Sequence, residues 1–229
     1  MKRKILWLIP VAVLLAFAAA FLLYTSVYYH ASDDALPALG SDTVIVTETD
    51  YGWFFDGPDA GRALIFYPGA KVEETAYAPL LHALADAGIE VCLVRMPFHM
   101  AVFGMDRATG TMEQVEYDDW YIGGHSLGGA VAANYAADHD LNGVILLASY
   151  PTKDVDEPML IIYGSEDGVL NLARIAEAER YGKVDKIVIE GGNHAGFGSY
   201  GAQRGDNAAA VTEDEQQRLT AESILSWLS

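Results

Sequence analysis

The sequence is poor in cysteine and contains no spacing typical of a metal site. Cys92 is the only cysteine among 229 residues. A single cysteine excludes an intrachain disulfide, and no Cys or His cluster has zinc-site spacing. We therefore predict that the protein has no metal or other cofactor. Cys92 lies within the apolar run IEVCLV and is predicted to be a buried thiol on a strand.

Basic residues are also scarce. The chain has 14 Lys and Arg against 32 Asp and Glu, and three of the basic residues are Lys2, Arg3 and Lys4. The rest of the chain therefore carries 11 basic and 32 acidic residues. Such a surface repels phosphate backbones, so nucleic acid is not a predicted partner. The acidic surface by itself indicates solubility rather than a ligand.

The N-terminus lacks Asp, Glu, Lys and Arg from Ile5 to Tyr29. A helix over the first 20 of these residues, Ile5–Tyr24, would be about 30 Å long, which matches the hydrocarbon thickness of a bilayer. Residues 1–30 are therefore predicted to be a membrane anchor, with 31–43 as a linker and 44–229 as one domain outside the cytoplasmic membrane. The alternative is a cleaved signal peptide, since Ala18–Ala20 offers small residues, and the protein would then be secreted.

Apolar runs and helical patterns alternate along residues 44–228. Continuous runs such as ALIFYPG, IEVCLVRM and PMLIIYGS are typical of strands buried on both faces of a parallel sheet. The pattern EETAYAPLLHALADAG predicts a helix ended by Gly88, and Thr212 with Glu215 predicts a capping box that opens the last helix. This alternation predicts an α/β fold with a mostly parallel sheet.

Polar residues follow four of the predicted strands. Ser126 comes after WYIGG, Asp167 after PMLIIYG, His194 after DKIVIEGG, and Gly69–Lys71 after ALIFYP. Ligands of open α/β sheets bind beyond the carboxyl ends of the strands. We therefore expect these four groups to meet at one edge of the sheet.

The stretch Gly124–Gly128 fits the pattern G-x-S-x-G. In a nucleophile elbow, the serine occupies a strained turn between strand and helix, and side chains two positions away would collide with neighbouring backbone. A serine hydroxyl needs a base, and histidine has the pKa suited to that role at neutral pH. Ser126 is thus predicted as the nucleophile.

His194 is the predicted base because it follows the last strand in a glycine-rich loop. The other five histidines are predicted to have other roles: His30 at the membrane boundary, His82 and His139 in helices, His125 pointing away from the serine hydroxyl, and His99 in a loop. Asp167 is predicted to orient His194, in preference to Glu166 beside it. Phe98 and His99 are predicted to line the substrate pocket.

An oxyanion formed from the substrate needs two backbone donors. We predict the amide of Leu127, which follows the nucleophile, as the first. The second is predicted to be Ala70 or Lys71, which follow the ALIFYP strand.

The motif GHSLGG, the chain order Ser126, Asp167, His194 and the turn Pro68–Ala70 resemble the α/β-hydrolase family over residues 44–228. The loops GGNHAGFG and MPFHMAVFG are similar to its compact bacterial branch of small membrane-anchored or secreted hydrolases. The resemblance implies a nucleophile at Ser126, a base at His194 and an acid at Asp167. The segment SYPTKDVDEP is too short for the lid domain that many relatives insert there, which disfavours an interfacially activated lipase.

These features together predict a serine hydrolase that cleaves a carboxylic ester or a related small acyl compound through an acyl-enzyme. A thioesterase, amidase or lactonase with the same triad stays open, because the fold does not choose among them. A catalytically silent hydrolase fold that acts as an extracellular binding or scaffold module is the alternative from another class.

Overall fold

The computed structural model describes residues 2–40, 43–58 and 61–229. The strands in this part of the chain are β1 (Ile45–Thr49), β2 (Gly52–Asp56), β3 (Arg62–Tyr67), β4 (Glu90–Val94), β5 (Asp119–His125), β6 (Gly143–Leu147), β7 (Met159–Gly164) and β8 (Val184–Ile189). The helices are α1 (Lys2–Thr25), α2 (Ala78–Asp86), α3 (Arg107–Met112), α4 (Leu127–Ala136), α5 (Leu172–Glu177) and α6 (Glu213–Leu228).

One sheet contains all these strands, in the order β1-β2-β4-β3-β5-β6-β7-β8. Strands β3 to β8 are parallel, while β2 pairs antiparallel with both β1 and β4. The predicted α/β fold with a mostly parallel sheet is confirmed. The carboxyl ends of β3, β5, β7 and β8 lie along one edge, which is where the predicted site residues begin.

Helices cover both faces of the sheet because its central strands are apolar on both sides. All residues of β4 and β6 are buried, including Cys92, as predicted. One face packs against α2 and α6, through residues such as Leu81 and Ile224. The other face packs against α3, α4 and α5, through Ala108, Val131 and Ile175. The result is the three-layer arrangement typical of α/β proteins.

Two predicted helix-end signals have structural counterparts. Gly88 follows α2 with a φ of +88°, which glycine adopts at little cost. The Thr212 hydroxyl accepts a hydrogen bond from the Glu215 amide at 3.2 Å at the start of α6. The Glu215 carboxylate binds Arg218 at 2.7 Å. Of the two bonds of a capping box, the structure therefore has the one from the Glu215 amide to the Thr212 hydroxyl. The Glu215 side chain instead forms an ion pair with Arg218 in the same helix.

The connection between β6 and β7, residues 148–158, contains no helix or strand. It passes directly from one strand end to the start of the next. The fold therefore has no large lid domain at this point, as the length of SYPTKDVDEP predicted.

The apolar N-terminus forms α1, whose bounds enclose the predicted span Ile5–Tyr24. Within the described residues, no helix meets the length and hydropathy needed to cross a bilayer. The membrane anchor stays a prediction. Ser41 and Asp42, which belong to the predicted linker, lie outside the described residues.

Candidate active site

Ser126 occupies the turn between β5 and α4. Its φ of +53° and ψ of −123° lie in a region that residues with side chains rarely adopt. The turn is held by the Ser126 amide, which donates to Leu147 at 2.9 Å, and by the Ser149 hydroxyl, which donates to the Ser126 carbonyl at 2.7 Å. This geometry is that of the elbow that G-x-S-x-G predicted.

The flanking glycines are required by close backbone approach. A Cβ on Gly124 would lie 2.5 Å from the Tyr67 carbonyl oxygen, and one on Gly128 would lie 2.3 Å from the Pro68 carbonyl oxygen. Neither contact is compatible with a real side chain. Strand β3 and the start of α4 can approach the elbow only because both positions lack a side chain.

His194 follows β8 and bonds Asp167, which follows β7. The His194 Nδ1 and Asp167 Oδ2 are 2.8 Å apart, and the two side chains are 1% and 0% exposed. The other carboxylate oxygen, Oδ1, accepts the amides of Val169 at 2.9 Å and Leu170 at 2.7 Å. The carboxylate is therefore an acceptor for three donors, so Nδ1 of His194 carries the proton. Glu166 is exposed.

The second ring nitrogen of His194, Nε2, is free of hydrogen bonds in the described part of the chain, and it is buried. Since Nδ1 holds the proton, Nε2 has a free lone pair. His194 and Ser126 line one cavity of about 280 Å³. Its other lining residues are Leu127, Ala130, Ala148, Ser149, Tyr150, Thr152, Val169, Leu170 and Asn171.

Two side chains that the sequence did not single out hold the His194 loop. Gln216 of α6 accepts the Asn193 amide at 3.0 Å and donates to the Asn193 carbonyl at 2.8 Å. Asp206 accepts the Ala195 amide with one oxygen and the Gly168 amide with the other, both at 2.9 Å. Asp206 thereby joins the loop of His194 to the loop of Asp167. The buried face of α6 carries Gln216 together with Gln217 and Thr220, and its sequence pattern does not distinguish Gln216 from these neighbours.

The candidate oxyanion donors differ in their hydrogen bonding. Leu127 is the first residue of α4, where an amide has no acceptor within the helix, and it lines the cavity. The Lys71 amide donates to the His99 carbonyl at 2.7 Å, so it is engaged. The Ala70 amide has no partner within the described residues. Ala70 and Lys71 both lie outside the lining of the cavity, on the turn that packs against α4.

His125 points away from the cavity into a buried chain of hydrogen bonds. Its Nε2 donates to the His194 carbonyl at 3.1 Å, and its Nδ1 lies 2.8 Å from the Tyr77 hydroxyl. Tyr77 in turn accepts the Gly69 amide at 3.0 Å. Burial, and then the neighbouring His194, lower the pKa of His125 well below its ordinary value, so the ring is neutral. These hydrogen bonds connect the loop after β3 to the His194 loop.

Phe98 and His99 do not line the cavity of Ser126, in contrast to the sequence-based prediction. They border a separate cavity of about 420 Å³ with Tyr28, Glu73, Arg95 and others. His99 stacks on Tyr28 with ring centroids 3.8 Å apart, while Phe98 is 45% exposed. The turn after β4 directs both side chains toward the N-terminal segment. Sequence position after a strand could not reveal that direction.

The eight-stranded sheet and the strained serine turn define the fold class of α/β hydrolases. Residues 63–218 match the family model described as Alpha/beta hydrolase family. The chain belongs to that family. No curated protein sequence matches it.

Solved structures with the same fold share little sequence with this chain. Est1E of Butyrivibrio proteoclasticus has a TM-score of 0.56 and 14% identity, and the match covers 82% of this chain and 99% of Est1E. TT1662 of Thermus thermophilus has a TM-score of 0.61 and 14% identity, with 81% and 98% covered. XC6422 of Xanthomonas campestris, described as a serine hydrolase without lid, has a TM-score of 0.53 and 15% identity, with 82% and 96% covered.

Proposed function

We propose that the protein is a serine hydrolase that cleaves a small carboxylic ester through an acyl-enzyme. The observation that carries the proposal is the state of His194. Its Nδ1 is bonded to Asp167, its Nε2 is buried with no hydrogen-bond partner among the described residues, and His194 lines the same cavity as Ser126. A base in this state is ready to take the proton of a serine hydroxyl.

In the proposed reaction, the Ser126 Oγ attacks the substrate carbonyl carbon while His194 Nε2 takes the hydroxyl proton. The bond to the leaving alcohol then breaks, and His194 returns the proton to the alcohol oxygen. A water molecule, deprotonated by the same nitrogen, then attacks the acyl carbon. The bond from that carbon to Ser126 Oγ breaks, His194 returns the proton to Ser126 Oγ, and the acid is released. Asp167 stays ionised and stabilises the imidazolium. The amides of Leu127 and Ala70 are the proposed donors to the oxyanion.

The size and lining of the cavity support a small substrate. A volume of about 280 Å³ lies just below the range of about 300–1,000 Å³ that is typical of small-molecule sites. Leu127, Ala130, Val169 and Leu170 supply apolar surface for an acyl chain, and Asn171 offers an amide at the rim. The name Est1E suggests an esterase activity for that protein. Because Est1E shares the fold of this chain, the name is consistent with the proposed reaction.

The test is the variant Ser126→Ala, with Ser226→Ala on the exposed face of α6 as the matched control. We expect the wild type and the control to react with a fluorophosphonate probe and to hydrolyse a short p-nitrophenyl ester. Ser126→Ala should lose both reactions, with kcat lower by about 10⁵-fold or more. Full activity in Ser126→Ala, or an unlabelled folded wild type, would refute the proposal. The second result would favour the silent binding module.

A further inference from the structure

The last turn of α1 and the residues that follow it are bound to the loop after β3. We call residues 21–32 the N-terminal strap. Tyr29 pairs with this loop on both sides: its amide donates to the Lys71 carbonyl at 2.7 Å, and its carbonyl accepts the Glu73 amide at 2.8 Å. These bonds form a β-bridge between Tyr29 and Val72. The strap thus pairs with the loop through one parallel β-bridge.

Side chains of the strap reinforce this pairing. The Tyr24 ring lies under the Lys71 ammonium at 4.0 Å, and the Tyr28 ring stacks on His99 at 3.8 Å. Phe21 contacts the edges of Phe98 and Phe103, with centroids 5.1 and 5.6 Å away. Further along, the Ser32 amide donates to the Ser199 carbonyl at 2.8 Å. The strap therefore touches the β3 loop, the loop after β4 and the loop that follows His194.

Among Gly69, Ala70 and Lys71, only the Ala70 amide has no acceptor within the described residues. Gly69 donates its amide to Tyr77 and accepts the Val72 amide at 3.3 Å. Lys71 donates its amide to His99, the residue on which Tyr28 stacks, and its carbonyl is held by Tyr29. Ala70 lies between these two engaged residues, and its amide alone has no acceptor in the described structure.

The conformation of Lys71 needs such support. Its φ of +57° is left-handed, which a residue with a Cβ adopts only where its surroundings hold it. The Tyr29 amide donates to the Lys71 carbonyl, and the Lys71 amide donates to the His99 carbonyl. These two bonds hold Lys71 on both sides. If either were lost, the peptide between Ala70 and Lys71 could rotate to a more common conformation and move the Ala70 amide.

We propose that the N-terminal strap positions the Ala70 amide as an oxyanion donor, so that Tyr28 and Tyr29 are positioning residues for catalysis. This inference rests on the proposed serine hydrolase function. It gives residues 21–32 a role in addition to those of the anchor and linker that the sequence predicts. A donor that acts on the oxyanion affects the transition state more than the bound substrate, so its displacement should lower kcat and leave KM nearly unchanged.

The sharpest experiment compares Tyr29→Pro with Tyr29→Ala in the full chain. Both variants lose the tyrosine ring, and with it the bond that the Tyr29 hydroxyl accepts from Arg204. Only proline also removes the amide that donates to the Lys71 carbonyl. The active-site concentration is taken from the endpoint of fluorophosphonate labelling, and kcat on a short p-nitrophenyl ester is expressed per labelled site.

We expect Tyr29→Pro to have a kcat per labelled site about tenfold lower than Tyr29→Ala, with KM within about threefold. Equal kcat values would overturn the proposal. The failure of the proposed function would look different, because Ser126→Ala would then keep its activity or the wild type would not be labelled.

A second pair keeps the proposal testable if Tyr29→Pro does not fold. Tyr28→Ala removes the ring stacked on His99, whereas Tyr28→Phe keeps it. Val27→Ala, at a side chain that is 65% exposed, is the control on the same segment. We expect a severalfold lower kcat for Tyr28→Ala and wild-type values for Tyr28→Phe and Val27→Ala. If kcat were the same in all three variants, the strap would have no positioning role.

Discussion

At the scale of single residues, the two carboxylate oxygens of Asp167 have different partners. Oδ1 accepts two backbone amides and Oδ2 accepts His194 Nδ1–H. In Asp167→Asn, the two amides would hold the carboxamide oxygen at the Oδ1 position. The NH₂ group would then face His194 and force its proton onto Nε2.

We therefore expect Asp167→Asn to fold but to lose about 10³–10⁴-fold in kcat, since Nε2 could no longer act as a base. Glu166→Gln is the matched control, because it makes the same chemical change at the exposed neighbouring residue. Steady-state kinetics on a short ester would measure both. A kcat for Asp167→Asn within tenfold of the control would contradict this account of His194.

At the scale of elements, α6 supports the His194 loop through Gln216. This side chain is 1% exposed, and it makes both of its hydrogen bonds with the backbone of Asn193, the residue before His194. Replacement of Gln216 by leucine keeps the approximate side-chain volume. It leaves the backbone amide and carbonyl of Asn193 without their partner. A small displacement of a catalytic group is enough to lower the rate considerably.

We expect Gln216→Leu to lower the free energy of unfolding by about 1–3 kcal/mol. We also expect kcat to fall by about tenfold. Urea unfolding and ester kinetics would measure the two effects, with the exposed Ser226→Ala on the same helix as the control. Unchanged kcat would show that the His194 loop holds its place without α6.

A second element, β4, begins with a buried carboxyl group. Glu90 is 0% exposed, its Oε2 accepts the Tyr117 hydroxyl at 3.0 Å, and its Oε1 has no partner in the part of the chain that the structure describes. Burial, with the neighbouring Asp56, raises the pKa of Glu90 to about 8. The group is therefore protonated in the folded protein at neutral pH.

A pKa raised by folding means that the folded state holds this proton over a range where the unfolded state does not. The stability from Glu90 is fully present below its ordinary pKa of 4.5 and is lost as pH rises through about 8. We expect Glu90→Gln, which cannot ionise, to have a flatter dependence of unfolding free energy on pH between 5 and 9. Urea unfolding across that range checks this, and identical slopes in both proteins would contradict it.

At the scale of the whole molecule, the absence of a lid between β6 and β7 has a kinetic consequence. Residues 148–158 form no helix or strand there, so no inserted domain has to move away from the cavity. The rate on a short ester should follow simple saturation as the substrate concentration passes its solubility limit. An abrupt rise in rate at that limit, measured by titrating the released acid, would indicate interfacial activation instead.

Across the whole molecule, the sequence predicted the strands better than it predicted the short helix α3 and the contacts between distant residues. Continuous apolar runs predicted the parallel strands, since a strand covered on both faces needs apolar residues throughout. The short polar helix α3 and the bond from Gln216 to Asn193 were not predicted. The first has no apolar stripe of its own, and the second joins positions 23 residues apart that meet only after folding.

The sequence by itself determined the order of elements, the elbow around Ser126 and the placement of Asp167 and His194 after strands. These features depend on local periodicity and on glycines that make room for backbone. Only the tertiary structure decided that Phe98 and His99 face the N-terminal segment, that the Lys71 amide is already engaged, and that Tyr29 holds the loop after β3. Those outcomes depend on which groups meet across the sheet edge, because a backbone amide is free or engaged according to neighbours far away in the chain.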